Sequence, residues 1–462
     1  MEISKSKRTW IIIGAVLMTA TLQLSSAGLN NTMYAILSGM NGLKYYALLA
    51  TLSSLGMAIM CVIGGRIGDM IGRRTVILAG AVLSLVSAIV MGLAQSLSVF
   101  IVARAVLSFG IGTFPGNAFV VAADVSDAKQ YPKVAALLTA TLMVATFLGS
   151  TIAGYLVDAG QIAAAIIYPG VVGLIGAVIS AVNMDKKPTT NAVSGKVDGI
   201  GMVLLAVFML SLCLSLNQGA NLGFNSPIII GGLILAVVSL VLLLKVEKKA
   251  EVPVIPLYLF KNKKYTGVIV AGAFITFYEV VMASYVPVSG QALMGLSASV
   301  TGYFSLPRTI IAIVLAAPAA AWVVKNQAKN AAIGLAVSGL LAAVAFFGMI
   351  FVGAGSPVAM PFILIGITGF TEALKGASFR PLVINQLEPK DFGVGIGMMT
   401  ATGTLLMTIL LSIVGPVFTS VSATDMGGAL RFVYIVTVCC ALIAVAITVF
   451  ATKDNKTAKD KN

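Results

Sequence analysis

Histidine is absent from all 462 residues, which removes imidazole metal sites and imidazole proton relays before any motif is sought. Charge is scarce too: Asp, Glu, Lys and Arg make up 10% of the chain, against about 25% in an ordinary soluble domain. The four cysteines, Cys61, Cys213, Cys439 and Cys440, all fall inside apolar runs, where they are expected to pack as small hydrophobes rather than to build a disulfide framework. No connector between apolar runs exceeds 20 residues, which leaves no room for a soluble output domain of a sensor. No phosphate-binding glycine loop with Lys and Ser/Thr is found, so direct ATP hydrolysis is not supported. An intramembrane hydrolase or prenyl transferase needs a metal-binding carboxylate cluster, His, or a nucleophile beside a base, and the apolar runs carry none.

What is present is hydrophobicity. Apolar residues make up 59% of the chain and the mean hydropathy is +1.02. One soluble core cannot hide that much apolar surface, so lipid is the expected solvent. Fourteen runs have the length of about 20 residues that crosses roughly 30 Å of hydrocarbon: 10–37, 45–65, 75–93, 99–122, 134–157, 163–183, 200–216, 227–244, 265–288, 300–323, 331–352, 359–377, 393–418 and 428–451. The first follows a basic start like a signal peptide's, but it is too long for a signal core and is expected to remain as a membrane helix. The reading is an all-α membrane protein with 14 transmembrane helices.

The balance of +14 would suggest nucleic acid on a soluble protein, but here the bases sit in short patches between apolar runs and report topology instead. With the N-terminus placed inside, 25 of the 30 Lys and Arg residues fall on cytoplasmic segments, so the positive-inside rule sets both termini in the cytoplasm of a cell membrane. The two longest hydrophilic connectors, 185–198 and 245–264, divide the chain into a six-helix bundle at 1–184, two inserted helices with their connectors at 185–264, a second six-helix bundle at 265–452 and a basic tail at 453–462.

After the second run comes Gly65-Arg66-Ile67-Gly68-Asp69-Met70-Ile71-Gly72-Arg73-Arg74, a tight basic turn whose glycines are expected to let helices 2 and 3 approach. It resembles the signature loop of the major facilitator superfamily. Three further stretches resemble that superfamily's fourteen-helix drug:proton antiporter branch. Arg104 with Gly110 and Gly112 is similar to the helix-4 arginine motif, with Leu107 and Ser108 in place of its usual Gln and Gly. Gly149-Ser150-Thr151-Ile152-Ala153-Gly154 is similar to the helix-5 antiporter motif, with Ser150 where Pro is usual. Residues 246–262 closely resemble the connector that follows the inserted helix pair. Two features depart from the pattern: the stretch Leu22–Asn31 lacks the acid that exporters of cationic drugs commonly carry in helix 1, and the second-half copy of the signature loop has decayed to 321–327.

The resemblance implies a secondary transporter, not an enzyme, working by alternating access around a cavity near the bilayer midplane, without cofactor or metal and as a monomer. It implies that Asp69, with Gly65, Gly72, Arg73 and Arg74, gates the cytoplasmic side, and that Arg104 lies near the proton path. The leading expectation is proton-coupled efflux of amphipathic organic compounds, with sodium as the alternative ion. The rival is symport or exchange of an organic anion or metabolite.

Ionisable residues at membrane depth are costly and mark a pathway or a pair. Five stand there: Arg104, Glu279, Arg308, Glu372 and Lys375. A carboxyl taken out of water can exchange a proton near neutral pH, which makes Glu279 the first candidate for coupling and Glu372 the second. Glu279 is also open to a static pair with Arg308, if the ninth and tenth runs form a hairpin. Glu372 and Lys375, three apart, share one helix face and are expected to neutralise each other, leaving Glu279 the freer acid. Arg308 either answers Glu279 or holds an anionic substrate together with Lys375. Gln23, Asn30, Tyr278 and Tyr285 complete the candidate cavity lining, while Asp124 and Asp158, near helix ends, are expected to be solvated.

Overall fold

The computed structural model describes residues 4–127, 130–184, 199–250, 253, 255–388 and 391–453. Regular structure among them is entirely helical. A bilayer core offers the backbone no water, so each spanning segment must close its hydrogen bonds internally, and a helix does so with local sequence alone. Fourteen helices are long and apolar enough to cross a membrane: α1 Ser6–Gly39, α2 Leu43–Gly65, α3 Arg73–Gly92, α4 Leu97–Asp124, α5 Lys133–Asp158, α6 Ile162–Asn183, α7 Gly199–Gly219, α8 Pro227–Glu247, α9 Lys263–Leu293, α10 Ala298–Lys325, α11 Gln327–Met349, α12 Ala359–Ile384, α13 Gly395–Ser422 and α14 Met426–Thr452. Each overlaps one of the fourteen apolar runs.

The starts carry their own caps. The side chains of Ser4, Ser96, Asn262, Ser297, Asn326 and Asp425 each accept a backbone N–H of the following turn, which satisfies donors a helix leaves open. Three spans are broken where proline removes an N–H. α4 breaks at Thr113 just before Pro115, α9 turns through Val286–Val288 and a π-helical stretch at Ser289–Leu293 after Pro287, and α10 breaks at Tyr303 and Phe304 ahead of Pro307.

The chain forms two compact units, one of Met1–Val254 with Ser297–Tyr303 and the other of Ile255–Leu296 with Phe304–Asn462. In the first, α1 packs against α5 and α6, α3 against α4 and α6, and α2 against α4. The pair α7 and α8 pack on each other, and α7 docks on α2 through Asn217 Nδ2, which donates to Thr51 Oγ1 at 3.1 Å. α8 turns Ile228, Ile234 and Val237 outward, the face a helix offers to acyl chains. In the second unit, α12 packs against α10 and α11, and α14 against α9 and α11.

The first two turns of α10 join the first unit, held there by polar contacts the sequence did not announce. Asp158 at the end of α5 accepts the N–H groups of Ala298 (3.1 Å) and Ser299 (2.8 Å), so its carboxylate faces a helix N-terminus. Asn31 Nδ2 donates to the carbonyls of Ser150 and Ala298 at 3.0 and 2.7 Å, and its Oδ1 accepts from Thr301 at 2.9 Å. Asp124 accepts from Arg73 at 2.6 Å. Both aspartates are exposed at helix ends, as expected, and each is also engaged by a donor supplied by a distant part of the chain.

Candidate functional site

The second unit gathers four of the five deep charges. α9 contributes Tyr278 and Glu279, α10 contributes Arg308, and α12 contributes Glu372 and Lys375. Arg308 Nη2 donates to Glu372 Oε2 at 3.0 Å, and the Tyr278 hydroxyl donates to the same oxygen at 2.7 Å. Lys375 Nζ forms an ion pair with Glu279 Oε1 and stands 3.6 Å from Glu372 Oε2. Its ammonium also lies 5.7 Å from the centre of the Tyr278 ring. Two acids and two bases thus neutralise one another within one patch, which lowers the cost of keeping them at this depth.

This arrangement corrects two expectations. Arg308 answers Glu372 and not Glu279, and Glu279 is not left without a base, because Lys375 reaches it across from α12, although it keeps fewer partners than Glu372. The i,i+3 spacing of Glu372 and Lys375 does bring them together, but at 3.6 Å it is the looser of the two contacts. A ridge of α12 that presents both residues to α9 and α10 serves three helices at once, a fact that spacing along one helix does not contain.

The aromatic residues divide. Tyr285 is buried edge-on to Phe418, with ring centres 4.9 Å apart, and its carbonyl accepts from the Tyr434 hydroxyl at 3.3 Å. It is a packing element of α9, α13 and α14. Tyr278 alone of the two binds the charge cluster.

The first unit holds the fifth charge. Arg104 is 1% exposed. Its Nη2 donates to Asn30 Oδ1 at a long 3.5 Å, while Nε and Nη1 find no partner among the described residues. Gln23 is engaged with Thr146 Oγ1 at 2.9 Å, on the α1–α5 contact. The helix-5 motif lies on that seam too. A Cβ at Gly149 would fall 2.7 Å from Leu24 Cα, and one at Gly154 would fall 2.8 Å from Ser299 Cα. Where proline is usual, Ser150 adds hydrogen bonds instead: its Oγ donates to the carbonyls of Thr146 at 3.0 Å and Gly302 at 3.2 Å.

In the signature loop, α2 runs on as helix to Ile71 and Gly72 makes the turn into α3 with φ +91°, a conformation that favours glycine. The expected glycine-mediated approach of α2 to α3 is met in part at Gly68, where a Cβ would sit 3.3 Å from Arg73 Cγ of α3 and 2.8 Å from Asn117 Oδ1 of α4, while Gly65 has open space around it. Arg73, which begins α3, holds Asp124, and Arg74 follows it in the first turn. The Asp69 side chain, and the surroundings of Gly393, which was expected to approach it, lie outside the described residues. Cys213 and Cys440 are buried and Cys439 faces outward, with no disulfide among these three.

Comparison with known proteins decides the family. The family model described as Major Facilitator Superfamily matches residues 9–410. The chain belongs to the Major Facilitator Superfamily. Among its relatives are the multidrug transporter protein MdtP of Bacillus subtilis (strain 168), 28% identical over 313 residues, which are 68% of this chain and 58% of that protein, and multidrug resistance protein 3 of the same organism, 24% identical over 375 residues, 79% of this chain and 70% of that protein. The chain therefore spans less than two thirds of the length of MdtP. Of solved structures, the POT family transporter PepTSo superposes with a TM-score of 0.70 at 15% identity, covering 98% of this chain and 99% of that one. A bacterial homologue of the lysosomal transporter Spinster, inward-facing and occupied, gives 0.70 at 12% identity over 97% and 98%. At these identities the likeness is one of fold. As a superfamily member with 14 apolar helices, the protein is a multi-pass membrane protein.

Proposed function

We propose that the protein is a secondary transporter that expels amphipathic organic compounds across a cell membrane by alternating access, with both termini cytoplasmic and a monomer as the working unit. Residues 1–184 and 265–452 are the two bundles that rock, and 185–264 supplies the inserted pair. The multidrug names of MdtP and multidrug resistance protein 3 point to the substrate class. The observation that carries the reading is the neutral four-charge patch of Glu279, Arg308, Glu372 and Lys375, in a chain whose family transports rather than transforms. Protons are the coupling ion, and Glu279 is the group that carries them. Its side chain is 31% exposed against 18% for Glu372. Among the described residues no tyrosine or arginine sits on it, whereas Glu372 has both.

An organic anion as cargo is less well supported, because the bases that would receive it are already turned onto carboxylates. Arg308 and Lys375 would each have to leave one.

Proteoliposomes with an imposed pH gradient test the proposal. The wild-type protein should concentrate a lipophilic dye against its gradient, and Glu279→Gln should lose that accumulation at least tenfold while still exchanging dye downhill. Undiminished accumulation by Glu279→Gln would move coupling to Glu372.

A further inference from the structure

Of the four deep charges in the second unit, Lys375 is the one with two carboxylates in reach. Glu372 is committed twice over, to Arg308 Nη2 at 3.0 Å and to the Tyr278 hydroxyl at 2.7 Å. Glu279 has a single cation among the described residues, the Lys375 ammonium. That ammonium has a second carboxylate 3.6 Å away, and it rides on a long unbranched side chain, so it can exchange Glu279 for Glu372 without leaving the patch or crossing an apolar gap. The side chain of Glu279 is 31% exposed, that of Lys375 12%. The acid is the more exposed member of the pair.

What surrounds the ammonium is the donor set that recognises an organic cation: a carboxylate for its charge and the Tyr278 ring, 5.7 Å from ammonium to ring centre, for its face. We propose that Lys375 is a tethered stand-in for a cationic substrate. It occupies Glu279 when the transporter is empty and is displaced onto Glu372 when a lipophilic monocation takes the carboxylate. The inference deepens the exporter reading and rests on it for the claim that the cargo is organic. It gives the missing helix-1 acid an answer, since the carboxylate that receives the cation sits on α9. It also supplies a reason for two bases beside two acids: an empty site with bare carboxylates at this depth would be costly, and the tethered ammonium removes that cost between cargoes.

Competition of this kind has a measurable sign. A ligand that binds only the unoccupied form has its apparent Kd raised by the inverse of that form's population, so a Lys375–Glu279 pair formed about 80–90% of the time weakens binding about five- to tenfold. The probes are tetraphenylphosphonium, a lipophilic monocation without hydrogen-bond donors, and triphenylphosphine oxide as a neutral comparator, each titrated by calorimetry into the purified full-length protein in detergent. Lys375→Met should bind tetraphenylphosphonium at least fivefold more tightly than the wild type, with the comparator unchanged. Lys375→Arg, which keeps a tethered cation, should show no gain. Glu279→Gln should weaken binding at least fivefold, and adding Lys375→Met to it should restore nothing. Lys375→Gln replaces Lys375→Met if the latter does not elute as a single species. A neutral variant that binds the cation no better, a gain that persists without Glu279, an equal gain for the neutral comparator, or no cation binding by wild type and variant alike each overturns the inference. The exporter reading fails separately. Proteins with this affinity pattern that move no tetraphenylphosphonium in proteoliposomes refute export and keep the site, and transport by the wild type without tighter binding by Lys375→Met does the reverse.

Discussion

At the scale of single residues, burial without partners is the informative event. Arg104 is sealed inside the first unit with one long hydrogen bond to Asn30 and two guanidinium nitrogens unmatched among the described residues. A base at membrane depth costs about 2.5–3.5 kcal/mol, and among the described residues no carboxylate pairs with Arg104 to return that cost. Replacing a poorly compensated buried charge by an apolar residue of similar length is often neutral or stabilising by about 1–4 kcal/mol. Arg104→Met is therefore expected to keep or raise the Tm while lowering transport at least tenfold, the separation that marks a residue kept for function. Thermal unfolding in detergent, set beside dye export from the same preparation, reads both. A lower Tm with export intact would make Arg104 a structural residue. Glu279 shows the opposite case: its partner was legible as a residue type but not as a position, because Lys375 lies 96 residues further along the chain.

At the scale of elements, small residues matter where backbones meet. The Gly149 Cα faces backbone of α1: a methyl placed on it would stand 2.7 Å from Leu24 Cα and 2.9 Å from the Gln23 carbonyl oxygen. Backbone cannot rotate away as a side chain can, so overpacking costs typically about 1–3 kcal/mol and more where helices must part. Gly149→Val is expected to reduce the yield of monodisperse protein severalfold, whereas Gly65→Ala, with open space around it, should purify like the wild type. Size-exclusion profiles of the two variants side by side decide this, and equal profiles would contradict the packing argument. The helices themselves were legible in the sequence because hydropathy, length and caps are local properties, and all fourteen runs correspond to spans. The seams were not. The docking of Ser297–Tyr303 in the first unit, the Asp158 carboxylate on the N–H groups of Ala298 and Ser299, and the Arg308–Glu372 and Lys375–Glu279 pairs each depend on residues more than sixty positions apart. The hint that was available was chemical: two acids and two bases in one half of an apolar chain cannot all stand alone.

At the scale of the whole molecule, the distribution of charge along the chain carries orientation. The proposed orientation rests on an even number of spans, which would put both ends on one side, and on the 25 of 30 bases that fall on alternate connectors and the two ends. Only Lys44 and Arg431 sit near the opposite face. Two acids on the basic side are paired there, Asp127 with Arg8 at 3.3 Å and Asp124 with Arg73 at 2.6 Å, and acidic residues influence insertion only weakly. A green fluorescent protein fused after residue 462 is expected to fluoresce, because it folds in the cytoplasm, and alkaline phosphatase fused in the α1–α2 connector at Asn41 should be active, because it folds outside. Moving the phosphatase to the connector between α10 and α11, beside Lys325 and Lys329, should abolish its activity. The inverse pattern at all three sites would overturn the proposed orientation, and with it the proposed direction of export.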